Sequence, residues 1–310
     1  IANTRELDGQ SEKRNPADFA LWKKASPEHI MRWASPWSIG FPGWHLECKA
    51  MSRKYLGERF DIHGGGLDLL FPHHESEIAQ SVCAFGCEPA KYWLHNNMIT
   101  IGGQKMGKSL GNFITLNEFF EGKHSKLDKA YSPMTIRFFV LQAHYRSTLD
   151  FSNEALSAAE KGMKKLFEAQ KNIDALPTSD KSSVDFSALF DKCVEAMCDD
   201  FNTPMVIAHL FEVTRLINLV ADKKETVTEA DKKALKENFA IVFNDILGMK
   251  NEQADNSMHI VDSLMQVILS LRKEARANKD WAKSDMIRDE LAKAGIVIKD
   301  GKDGASWTME

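Results

Sequence analysis

The sequence has 310 residues, 43% of them hydrophobic and 27% charged, with a formal net charge of −4, a composition that excludes a low-complexity or disordered chain and leaves room for two or three folded domains. No run of about 18 apolar residues and no charged-then-apolar leader is present, so neither a membrane span nor a secretory signal is expected. The mild acidity argues against a basic coat for nucleic acid over the whole surface, and five cysteines argue against a disulfide framework, which leaves reduced thiols and a cytoplasmic setting as the expectation.

The chain opens on Ile1 rather than Met, in the polar stretch IANTRELDGQSEKRN, which suggests a fragment. Pro42 to Tyr55 is expected to form a helix closed by Gly57, followed by a short strand from Arg59 to Ile62 and the glycine run Gly64, Gly65, Gly66. A second helix is expected to begin near Pro72, since proline suits a first turn, and to run through HHESEIAQSVCAF. Trp93 to Ile101 reads as one strand ended by Gly102 and Gly103. This alternation points to a parallel α/β sheet with ligands at the strand ends. From Ser152 onward almost everything reads as helix. Ser152 caps a helix whose positions Leu156, Ala159, Met163 and Leu166 keep a 3.6-residue period; Thr203 and Pro204 open another bearing Val206, Leu210, Val213 and Ile217. Thr228 starts a helix ending at Gly248, Met258 to Ala277 forms the next, and 178–183 and 222–225 are interhelical loops. The tail is a helix from Asp280 to Ala294, the strand-like IVIKD, a glycine turn and Trp307.

Two constellations could carry chemistry. In IGGQKMGKSLGN, Lys105 and Lys108 flank Gly107 and precede Ser109 on a loop after a strand, and mobile lysines on such a loop suit developing phosphate charge; the Walker spacing is absent. His73 and Glu77, four apart on one helical face, join Cys48 as zinc donors that leave one position open. The competing reading has His73 as a helix cap, Glu77 solvated and Cys48 a small buried hydrophobe, and His74 could replace His73 on geometry alone. Cys83, Cys87, Cys193 and Cys198 are expected as core thiols. In the tail, Arg272, Lys273, Arg276, Lys279, Lys283 and Arg288 lie beside Trp281 and Trp307, as a solvated basic face or an RNA-contacting one.

Taken together, KMGKS, KRNPADFALWK, SPWSIGFPGWHLECKAM, FDIHGGGLDLLFPHHESEIAQS, HYRSTLDFS, DDFNTP and KDWAKSDMIRDELAKAGIVIKDG resemble, in order and end to end, the class I aminoacyl-tRNA synthetases and within them the cysteinyl-tRNA synthetases. KMGKS is similar to that family's KMSKS signature, with Gly107 in place of the central serine. The resemblance implies the second half of a class I Rossmann-type nucleotide-binding domain, then a helical bundle and a small C-terminal α/β tail. It divides the chain into the end of a connective insertion (1–40), the half Rossmann domain (41–112), a stem-contact junction (113–151), a tRNA-binding bundle (152–250) and an anticodon-binding tail (257–310).

The resemblance also implies roles: Cys48, His73 and Glu77 on one Zn2+ that takes the substrate's sulfur, Trp44 in the cysteine pocket, Asp68 on the adenosine ribose, Lys108 on the phosphates of ATP with Mg2+, Lys105 and Ser109 assisting, and Arg276 and Trp307 on tRNA. The family's fourth zinc ligand, a cysteine near the HIGH signature, and that signature itself have no counterpart in this sequence, which places the break inside the connective insertion. The expected activity is ATP-dependent joining of L-cysteine to tRNA(Cys) by a monomer, with no membrane partner. Two rivals stand beside it: a ligase joining cysteine to an amino sugar, whose family lacks a tRNA-reading region like the one after residue 150, and a catalytically incomplete tRNA-binding fragment.

Overall fold

A computed structural model describes residues 13–301 and 304–309, which leaves the first twelve residues of the expected insertion segment outside the described residues. Early in the chain, β1 (Trp22–Lys24) and β2 (Gly40–Pro42) pair antiparallel, and Gly43 leads directly into α1 (Trp44–Leu56), which Gly57 closes at φ 95°. Next comes a β–α–β unit: β3 (Phe60–Gly66), α2 (Glu75–Phe85) and β4 (Ala90–Asn96), the two strands parallel with His63 opposite Trp93 and Gly65 opposite His95. The expected strand Arg59 to Ile62 is therefore too short, because parallel pairing draws the glycine run into the ladder. Gly65 has to be glycine: a Cβ there would stand 2.7 Å from the His74 ring.

The expected helix start at Pro72 is also corrected. Leu70–His74 forms a wide π-type turn in which Phe71 is extended and the Phe71–Pro72 bond is cis, and the regular helix begins only at Glu75. The single strand expected from Trp93 to Ile101 is in fact two, since after β4 the chain turns at Asn97 and β5 (Ile99–Ile101) enters a different sheet. There it pairs antiparallel with β6 (Gln104–Lys105) and parallel with β7 (Leu149–Phe151), with α3 (Leu116–Glu121) and α4 (Pro133–Leu141) between.

The helical half follows its periodicity. In α5 (Asn153–Asn172) the Ser152 hydroxyl accepts from the Ala155 N–H, and Leu156, Ala159, Met163 and Leu166 are all buried. The helix packs on α7 (Thr203–Ala221), which also packs on α6 (Ser187–Cys198), and α8 (Glu229–Ala240) begins at the Thr228 cap before the helix widens to π geometry at Ile241. By length and composition α7 could cross a membrane; it carries Glu212 and Arg215, and buries Val206, Leu210, Val213, Ile217 and Val220 inside the protein. Of the four expected core thiols only Cys193 is buried. Cys83 and Cys198 are exposed near the ends of their helices, and Cys87, half-buried, lies beyond the end of α2.

The chain divides into two compact units, Ile1–Val242 and Phe243–Glu310. Within the second, α9 (Glu252–Ala277) starts six residues earlier than expected and packs on α10 (Trp281–Lys293), which the Asp280 side chain caps. The hairpin of β8 (Ile296–Gly301) and β9 (Gly304–Met309) sets Trp307 opposite Ile298. Arg272 is buried, which removes it from the basic face expected there, whereas Lys273, Arg276, Lys279, Lys283 and Arg288 are exposed.

Candidate metal centre and phosphate loop

The parallel pairing of β3 with β4 sets His63 opposite Trp93 at mid-strand, with His95 two residues further toward the carboxyl ends, where sheets of this kind bind ligands. The π-type turn and the start of α2 add His73, His74 and Glu77 from one side, and α1 adds Trp44, His45 and Cys48 from another. At the centre is Glu77, with no exposed surface. One of its oxygens, Oε2, is 2.9 Å from His63 Nε2, a hydrogen bond. The other, Oε1, is 2.9 Å from His73 Nε2 but out of line for a hydrogen bond, and so has no donor. Ion-pair distance without hydrogen-bond alignment is what results when both atoms face a common point.

Cys48 Sγ faces the same point: donor atoms of Cys48, His73 and Glu77 all lie within 4.8 Å of one another. A second set, His63, His74 and Glu77, meets the same criterion. The two sets differ in chemistry, since only the first contains sulfur, and His74 Nδ1 is engaged 2.8 Å from His95 Nε2. An orphaned, fully buried carboxylate oxygen beside a thiol and an imidazole fits a zinc ion, which takes S, N and O donors together. The competing sequence reading of Glu77 as solvated is excluded by its burial.

The rings around these donors hold them still. Trp44, itself exposed, stacks on His73 with centroids 3.9 Å apart, and His45 Nδ1 is 2.6 Å from His73 Nδ1, which turns Nε2 toward Glu77. His63 stacks on Trp93 at 4.6 Å. Burial lowers the pKa of His73, His45 and His95 and takes that of His74 down to about 4, with neighbouring His63 adding to the effect on His74; these rings are neutral at pH 7 and able to accept or ligate. Burial and the nearby Glu77 charge push the Cys48 thiol up, so without a cation it stays protonated.

The lysine loop is a separate feature. Lys105 ends β6, and Lys108 to Leu110 make a single 3-10 turn closed by Gly111 at φ 65°. Lys105, Lys108 and Ser109 are exposed, and Lys108 Nζ is 5.4 Å from the Phe113 ring centroid. Asp68 is exposed on the turn Leu67–Leu69. Of the residues singled out from sequence, the structure thus gathers Trp44, Cys48, His73 and Glu77 into one cluster. Asp68 and the loop lysines share no hydrogen bond or ion pair with it among the described residues. Arg276 lies in the last turn of α9 and Trp307 on β9, half-buried. Sequence reasoning missed His45, His63 and His95. His95 carries a readable signal, standing one residue from the carboxyl end of a parallel strand.

Comparison with known proteins gives this arrangement a family. Residues 1–161 match the tRNA synthetases class I (C) catalytic domain, residues 192–250 the DALR domain, and residues 262–307 the cysteinyl-tRNA ligase anticodon binding domain. The first of these covers more than half of the chain, and the chain belongs to the class I (C) tRNA synthetase family. It is 60% identical to the cysteine–tRNA ligase of Porphyromonas gingivalis W83 over 311 aligned residues, and 61% identical to that of Parabacteroides distasonis. In both cases all of this chain is covered, but only 64% and 63% of the relative. The chain thus spans a little under two thirds of the relatives it matches.

Proposed function

We propose that the protein containing this chain is a cytoplasmic, monomeric cysteine–tRNA ligase, which activates L-cysteine with ATP and passes it to tRNA(Cys). The observation that carries this reading is the thiol-containing donor set Cys48, His73 and Glu77 beneath Trp44, in the same unit as the KMGKS loop. Cysteine has to be chosen over serine, which differs by one atom. Discrimination of about 10⁴ to 10⁵ needs roughly 5.5 to 7 kcal/mol, whereas a one-atom shape difference supplies about 1 to 3. Bound zinc would supply the balance by taking a substrate thiolate in preference to a hydroxyl.

In the first step the cysteine carboxylate attacks the α-phosphorus of Mg2+-bound ATP and pyrophosphate leaves; in the second a hydroxyl of the terminal tRNA ribose attacks the aminoacyl carbonyl and AMP leaves. Cys48, His73 and Glu77 would hold the zinc, and Trp44 walls the pocket. Lys108, assisted by Lys105 and Ser109, meets the phosphate charge, and Asp68 the ribose. We assign residues 41–112 to the activating domain, 113–151 to the stem-contact junction, and 152–250 and 257–310, with Arg276 and Trp307, to tRNA. The amino-sugar ligase reading has no use for residues 262–307, whose match is to an anticodon binding domain.

The test is ATP–pyrophosphate exchange by the full-length enzyme with cysteine and with serine, followed by charging of tRNA(Cys). Cysteine-dependent exchange that a zinc chelator abolishes is expected. Equal exchange with serine, or transfer to an amino sugar in preference to tRNA, sinks the proposal.

A further inference from the structure

An exposed cationic loop has to be held in place by something, and the structure shows what holds this one. At its base, Asp150 Oδ1 accepts from the Thr100 hydroxyl at 2.5 Å and from the Gly103 N–H at 2.8 Å, fixing the turn between β5 and β6. At its far end Asn112, only 4% exposed, folds its carboxamide back beneath the loop. Its Oδ1 accepts from the Gly107 N–H at 2.8 Å, and its Nδ2 donates to the Lys105 carbonyl at 3.0 Å. The two bonds straddle Met106 and reach the backbone on either side of the first lysine's turn. Phe113, the residue after Asn112, lies under the Lys108 ammonium.

Met106 and Phe113 line an apolar cavity of about 480 Å³ shared with Phe139, Leu149 and Phe151, so side chains fill the space next to Met106 only in part. The pairing of Lys105 opposite Thr100 at the β5–β6 edge and the Met106 N–H to Ile99 carbonyl bond of 3.0 Å hold one side of 105–107, and the Asn112 amide ties the other side to the far end of the loop. Only a side chain with both a donor and an acceptor can make this pair of bonds. A buried amide bonded twice to backbone is costly to open by halves, because either group left alone is unsatisfied.

We propose that Asn112 is the positioning residue of the KMGKS loop, a clasp whose two hydrogen bonds set where Lys105 and Lys108 stand. The proposal rests on the reading that those lysines meet ATP, and its test separates the two ideas. Trypsin cuts after lysine, and cutting after Lys105 or Lys108 requires the loop to open. In the native full-length enzyme, Asn112→Ala is expected to speed cleavage after Lys105 and Lys108 about tenfold or more, with cleavage after Lys91 and Lys129 unchanged. Asn112→Asp, which keeps the acceptor for Gly107 but loses the donor to Lys105, falls between. In pyrophosphate exchange, Asn112→Ala is expected to lower kcat about tenfold while leaving the KM for cysteine within about twofold.

Unchanged cleavage at Lys105 and Lys108 overturns the clasp, and so does a rise shared equally by Lys91 and Lys129, which marks general loosening. Selective cleavage with undiminished exchange overturns the positioning role. If Lys108→Ala itself leaves exchange intact while cleavage still answers to Asn112, the clasp is supported and the assignment of the lysines to ATP is what fails.

Discussion

A carboxylate with no exposed surface must be neutralised by its neighbours, and Glu77 is served by His63 on one oxygen only. The other oxygen lies with His73 and Cys48 in the donor set we propose for a cation. We expect zinc in the purified protein to sit on Cys48, His73 and Glu77, and Cys48→Ser or Glu77→Gln to weaken zinc affinity by about a hundredfold or more in a competition assay with a chelating dye. Anomalous scattering that placed zinc at His74 instead would falsify the ligand set. In the function proposed above, Lys108 acts on charge that develops in the reaction. In the full-length enzyme Lys108→Ala should therefore slow adenylate formation far more than it weakens cysteine binding. Pre-steady-state rates decide this: an unchanged activation rate with a raised KM for cysteine removes the lysine from its role.

Between elements, the informative contact is the one tying the segment before β7 to the turn between α6 and α7. Asp200 accepts from the Tyr145 hydroxyl at 2.7 Å and pairs with Arg146 at 2.6 Å, while Asn97 holds the same segment from the strand side through the Tyr145 and Arg146 carbonyls. Asp200 and Phe201 both have φ near +55°, a region non-glycine residues enter at a cost that Asp and Asn bear best. The Tyr145 bond first, then Arg146, holds the Asp200 carboxyl below its ordinary range. Since the folded pKa is the lower one, the stability this group lends is present at neutral pH and is lost as pH falls through the folded value. Asp200→Asn, which keeps the backbone tolerance and removes the charge, is thus expected to lower Tm at pH 7, with the gap from wild type closing below about pH 4. A gap that stays constant from pH 7 to pH 3 assigns the loss to something other than the carboxylate.

For the molecule as a whole, the two-stranded parallel pair of β3 and β4 is a small platform for a nucleotide site, and no HIGH-like tetrapeptide occurs in the sequence. Residues 1–310 by themselves are expected to bind tRNA weakly and to fail in cysteine-dependent pyrophosphate exchange. Supplying the remaining portion of a relative's catalytic domain in trans should restore exchange and, by covering exposed strand edges, improve solubility. Robust exchange by residues 1–310, with an intact mass that excludes a second polypeptide, shows the ATP site to be misplaced.

Some of this protein is local in its causes, and that part could be read from sequence. The helices from Ser152 onward announce themselves by a 3.6-residue apolar period and a capping hydroxyl, and Leu156, Ala159, Met163 and Leu166 are buried as that period requires. The motifs also sufficed for the family, because several specific stretches in fixed order rarely coincide by chance. Other features depend on which strand pairs with which. Parallel registry carried the ladder through Gly66, split Trp93–Ile101 between two sheets, and brought His63 and His95 to the side chains around Glu77 from 11 and 22 residues away from His74 and His73. The exposure of Cys83, the burial of Arg272 and the reach of Asn112 beneath the lysine loop likewise rest on contacts between elements. Residue type and spacing determine what a segment can do by itself; which oxygen of Glu77 is left without a donor is decided only when α1, α2 and the two strand ends meet.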